Sequence, residues 1–177
     1  MTIHPWARRC LAGCAYGLAS VALVAVPPSY ATDVTFVATN AACEYQVPSS
    51  GADGTNWTAL AFDDSAWDVG RSGIGYDTEA SYASLFGSTV SNGTTDVYVR
   101  FPFTVPANAI YDSLTLRLKY EDGFIAYLNG TEVARSNAPA SAVYNSLATA
   151  NRADNLATTF KDYNLTAVLP KLQVGAN

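Results

Sequence analysis

Histidine is almost missing from this chain: 177 residues contain one, His4, near the start. Cysteine is scarce, with 3 in all, and the 10 Lys and Arg are outnumbered by 15 Asp and Glu. No long helical pattern occurs, and the one extended apolar stretch falls short of the roughly 18 to 20 residues that span a bilayer as a helix. These shortages narrow the function classes before any motif is considered.

The histidine and two of the cysteines sit in a segment that reads as a secretory signal, residues 1–31. Arg8 and Arg9 supply its positive region, Leu11 to Val26 its apolar stretch, and Ser29-Tyr30-Ala31 a small-residue end suited to cleavage after Ala31. Leu11-Ala12-Gly13-Cys14 has the pattern of a lipoprotein cleavage box, but the apolar stretch follows that cysteine instead of preceding it. Arg8-Arg9 leaves twin-arginine export open beside the general secretory route. Pro27-Pro28 behind a short apolar core argues against a retained anchor. The expectation is a secreted or periplasmic protein whose single domain is 32–177, long enough for a sizeable core.

Cleavage takes away His4, Cys10, Cys14 and both arginines. Without histidine, Ser-His-Asp triads, Cys-His pairs and histidine-ligated zinc or iron are excluded. A two-carboxylate glycosidase needs none. Yet the carboxylates here stand in turn-like company, as in Asp63-Asp64-Ser65, Asp77-Thr78-Glu79 and Glu121-Asp122-Gly123, and no catalysis is expected. Loss of 2 of the 10 basic residues leaves 8 against 15 acidic ones, a formal charge of −7 that opposes binding to nucleic acid. Cys43 alone cannot form an internal disulfide and reads as a small buried residue.

What the chain has in quantity is strand signal. Thr35-Phe36-Val37 opens the domain, 44–56 reads as a loop, and 70–96 is a long polar, glycine-rich excursion. Val97, Val99, Phe101 and Phe103 then alternate with Tyr98, Arg100 and Pro102. In 114-LTLRLKY-120 the leucines and Tyr120 share one face, and Thr115, Arg117 and Lys119 the other. Phe124 to Leu128 and Thr131 to Arg135 complete a three-strand meander, the last two joined by Asn129-Gly130 in a type I′ turn. The class is all-β, an antiparallel sandwich or barrel.

In this order, 62-FDDSAWDVGRSGIGY-76, 97-VYVRFPFTVP-106, 114-LTLRLKYEDGFIAYLNGTEVARS-136 and 163-YNLTAVLPKLQVGAN-177 resemble the galactose-binding-domain-like jelly roll. The similarity is to the sugar-binding domain of family 2 glycoside hydrolases and to accessory modules of large secreted bacterial proteins. It covers about residues 35–177. The resemblance implies an antiparallel jelly-roll β-sandwich and a non-catalytic module, accessory to further domains of the same polypeptide, that binds a carbohydrate or polysaccharide. The alternative is a structural or adhesive module that spaces or docks other domains. In the resembling modules the counterpart of Gly175-Ala176-Asn177 leads into one more apolar strand, which implies a domain lacking its last strand. Some such modules hold a structural calcium ion, but no spacing here matches a calcium loop, and neither metal nor cofactor is expected. Neither nucleic acid nor, after cleavage, a membrane is expected as a partner.

Two surfaces are candidates for a ligand. One is a loop-end cluster of Trp57, Asp77, Glu79, Tyr82 and Asp122, with the ring of Trp57 or Tyr82 stacking on a sugar and the carboxylates accepting from its hydroxyls. The other is the polar strand face of Tyr98, Arg100, Arg117, Lys119 and Tyr127. Trp67 belongs to the core. The Asn-x-Ser/Thr sequons at Asn56, Asn92, Asn129 and Asn164 are given no role.

Overall fold

Cys43 is 1 % exposed, and the strand that carries it is the centre of a three-stranded sheet. In the computed structural model, which describes residues 33–78 and 82–177, the strands follow in the order β1 (Ala42–Gln46), β2 (Asp68–Arg71), β3 (Ile74–Gly75), β4 (Ser88–Thr89), β5 (Tyr98–Arg100), β6 (Thr104–Val105), β7 (Thr115–Leu118), β8 (Phe124–Leu128), β9 (Thr131–Ser136), β10 (Lys161–Asn164) and β11 (Gly175–Ala176). The helical structure described is α1, Asp154–Ala157, and short 3-10 segments at Asn56–Thr58, Ala83–Leu85 and Thr166–Lys171. None of it is long and apolar enough to cross a membrane. The chain is all-β, and residues from Val34 to Asn177 make up one compact unit.

Most pairing is antiparallel and much of it is long-range. β1 lies between β2 and β5, β7 pairs with β10, β6 with β11, and β8 with β9. The exception is a two-residue parallel contact of β3 with β4. At the start of this contact Gly73 takes φ 81° and its carbonyl accepts from Gly87 N–H at 2.9 Å. Any Cβ at Gly73 would collide with the Leu85 carbonyl oxygen.

Two expected strand assignments are corrected. Phe36 and Val37 form a bend and Thr35 lies in no regular element, and the first strand begins at Ala42, overlapping the stretch read as a loop from residue 44. Phe36 nonetheless packs on Phe103 and Tyr111, each at 5.3 Å between ring centroids. The three-strand meander is replaced as well, because β7 pairs with β10 and not with β8. Residues 120–122 are drawn away from a hairpin by Arg152: its guanidinium donates to the Tyr120 carbonyl at 2.9 Å, and its backbone N–H donates to Asp122 Oδ1 at 2.8 Å.

Other expectations match the structure. In β7, Leu116 and Leu118 are partly buried while Thr115 and Arg117 are exposed. Asn129 and Gly130 take φ 50° and 80°, the signs a type I′ turn requires. Trp67 is buried, together with Cys43, Val105, Ala157 and Leu165. Gly175–Ala176 is itself in a strand, and Phe103 and Asn177 exchange backbone hydrogen bonds of 3.0 and 2.9 Å. The hairpin turn is tied to this segment, since Asn129 Nδ2 donates to Asn177 Oδ1 at 2.9 Å and to the Lys171 carbonyl at 3.0 Å.

Candidate functional site

The expected loop-end cluster is divided between the two ends of the β8–β9 hairpin. Asp122 precedes β8 at one end, whereas Trp57 meets Tyr127 near the turn at the other, with 5.8 Å between ring centroids. Five residues of extended chain, at about 3.3 Å each, put roughly 16 Å between those positions. Trp57 therefore cannot act with Asp122 on one small ligand. Glu79, like the leader, lies outside the described residues.

At the Asp122 end, Tyr82 takes Asp77 and the residue next to Asp122 as partners. Asp77 Oδ2 accepts the Tyr82 N–H at 2.5 Å, and the Tyr82 hydroxyl donates to Glu121 Oε2 at 3.4 Å. Loss of solvation, followed by the charges of Glu121 and Asp154, pushes the Tyr82 phenol up to about 12. Burial and the neighbouring charges of Asp122 and Asp154 raise Glu121 in turn. Asp122, at φ 50°, is committed to the fold: its carboxylate holds Arg152 N–H, and its carbonyl accepts from Asn137 Nδ2 at 2.8 Å. Below it Tyr163 donates to Tyr120, whose hydroxyl reaches Ser136, each bond 3.0 Å. The Arg152 guanidinium lies 4.2 Å from the Tyr120 ring centre. Among the described residues no three carboxylate, cysteine or histidine side chains converge on a metal position.

At the other end an aromatic cluster forms from three distant segments. Trp57 lies on Tyr98 with ring centroids 4.3 Å apart and planes 11° from parallel, and Tyr127 meets Trp57 edge-on at 76°. Trp67 tilts against both Trp57 and Tyr98 at 6.1 and 6.4 Å, and Phe62 lies edge-on to Trp67 at 5.6 Å. Trp67 is buried, while Trp57, Tyr98 and Tyr127 are partly exposed. One face of Trp57 is covered by Tyr98, so it is not the isolated platform its polar sequence neighbours imply.

Arg100 fastens this cluster to the sheet. Its Nε donates to Asp64 Oδ2 at 2.6 Å, and its Nη1 donates to the carbonyls of Trp57 and of Ala59. The second expected surface is thereby split: Tyr98, Arg100 and Tyr127 belong with Trp57, whereas Arg117 of β7 and Lys119 just after it lie over the ring of Phe160, and Arg117 pairs with Asp162 at 2.8 Å. No family model, curated protein or solved structure matches this chain.

Three carboxylates bear on the ring hydroxyls, Asp53 and Asp96 on Tyr98 and Glu132 on Tyr127. Burial raises the Tyr98 phenol, and the charges of Asp96 and Asp53 add to it; burial and Glu132 raise that of Tyr127. Asp96 is itself pushed up to about 6 by burial, against a lowering hydrogen bond from Val97 N–H. Sequence reasoning passed over this rim, although the signal was present. Asp96 precedes Tyr98 by two on the alternating strand, and a two-residue turn at Asn129-Gly130 sets Glu132 opposite Tyr127, as the ladder has it. Such a site can stack the apolar face of a ring-shaped ligand and accept hydrogen bonds from its hydroxyls.

Proposed function

We propose that residues 32–177 form a jelly-roll β-sandwich of the galactose-binding-like type, serving an exported protein as a non-catalytic carbohydrate-binding module. The long-range antiparallel pairings of β1 with β5, β7 with β10 and β6 with β11 support the sandwich, since jelly rolls join strands distant in sequence. The leader-like residues 1–31 support export.

The observation that carries the binding role is the convergence of partly exposed Trp57, Tyr98 and Tyr127 beside Asp53, Asp96 and Glu132. Aromatic faces with adjacent acceptors are what pyranose rings require. Affinity electrophoresis through gels containing single polysaccharides tests it: the folded protein is retarded by at least one, and replacing Tyr127 by alanine reduces the retardation.

A second reading has its own support. Arg100 holds the backbone of Trp57 and Ala59, so the same rings can serve to pin a loop in a spacer or docking module. Unchanged migration of folded protein in every gel leaves that reading standing.

A further inference from the structure

Resting on the carbohydrate-binding reading, we propose that the ring cluster selects uncharged glycans and rejects polyanionic ones. The reason lies in the state of its cations. Recognition of a uronate carboxylate or a sulfate calls for an arginine or lysine whose charge is not already matched by a protein carboxylate. Two guanidiniums reach the cluster, and each is already engaged. Arg100 uses Nε on Asp64 and Nη1 on two backbone carbonyls. Arg135 grips Glu132 through Nε and Nη2, at 2.5 and 2.6 Å, and gives Nη1 to the Pro139 carbonyl at 2.8 Å. Meanwhile the acids have the rings as neighbours: Glu132 stands opposite Tyr127 on the β8–β9 ladder, and Asp96 lies two residues before Tyr98 along the chain and is partly buried, which intensifies its field. Among the described residues Asp96 and Asp53 form no ion pair. An anionic sugar laid on Trp57 or Tyr127 would meet like charge at the rim, whereas a neutral pyranose would give its hydroxyl protons to the same oxygens.

The test compares retardation of the protein by hydroxyethyl cellulose, galactomannan and xylan with retardation by polygalacturonate and alginate, in low and in high salt. The expected result is retardation by one or more of the neutral polymers, little changed by salt, with none by the polyanions even in low salt. In Glu132→Gln, which releases Arg135, retardation by polygalacturonate should emerge in low salt and vanish in high salt. Retardation of the parent protein by a polyanion, lost in Tyr127→Ala, overturns the selectivity while leaving carbohydrate binding intact. No retardation by any polymer overturns both.

Discussion

Trp57 lies flat against Tyr98, ring centroids 4.3 Å apart, although the two belong to a 3-10 turn and a strand far apart in sequence. Stacked rings of this kind are worth about 0.5 to 1.5 kcal/mol beyond the area they bury. Under the proposed binding role, the contact ties recognition to stability. Trp57→Ala should lower stability by roughly 2 kcal/mol, while Trp57→Phe should retain most stability. Chemical denaturation of both variants checks this. Equal stability of Trp57→Ala and the parent would show that the stack does nothing for the fold.

Arg100 is the clamp beneath that stack, with its side chain 17 % exposed and Asp64 28 % exposed. Replacing it by lysine keeps the charge but not the planar fork that serves a carboxylate and two carbonyls together. The expected loss is about 2 kcal/mol, between the values for surface and fully buried pairs. Arg117→Lys, at an exposed pair with Asp162, should change stability by under about 0.5 kcal/mol. Urea midpoints measured side by side decide whether the two arginines differ in this way.

Asp96 gives the domain a pH dependence with a definite sign. Its carboxyl titrates near 3.8 when free and at about 6 in the fold. Between those values the native state holds a proton that the unfolded chain has released, so this group's contribution to stability falls as pH rises across the window. Above it, the fold keeps a partly buried charge at a cost. Asp96→Asn should raise the melting temperature at pH 7 and lose the advantage near pH 4. A gain that persists at pH 4 would assign the effect to something other than this ionisation.

The turn at Asn129-Gly130 has both residues at positive φ, and the Gly130 Cβ position has free space, its nearest neighbour being Ala59 Cα at 3.8 Å. Conformation alone, then, argues for glycine. Gly130→Ala should cost about 1 kcal/mol in thermal or chemical melts. Asn129→Asp keeps the φ preference but removes the amide that donates to Lys171 and Asn177, so its loss reports the tie to the C-terminal segment.

These residues also show what sequence carries and what it does not. Local chemistry was legible: the Asn129-Gly130 turn, the alternation of β7, and the burial of Trp67 and Cys43. Partnership across the chain was not. The pattern of 114–128 has every local feature of a meander, yet Arg152, distant in sequence, takes the Tyr120 carbonyl and Asp122 and turns β7 toward β10. Trp57 sits among polar residues and so reads as exposed, but its ring is settled by Tyr98 and its backbone by Arg100. The expected cluster is divided for the same reason: Trp57 and Asp122 are bridged in sequence by nothing that records which end of a hairpin each will meet.

The most direct test of the central claim is affinity electrophoresis in neutral polysaccharide gels with the parent protein, Trp57→Phe and Tyr127→Ala, each first shown by near-ultraviolet circular dichroism to be folded. The claim predicts that the parent is retarded, that Tyr127→Ala binds about fivefold more weakly or worse, a loss of roughly 1 kcal/mol or more, and that Trp57→Phe falls between them. Retardation of all three to the same extent, or of none, would contradict it.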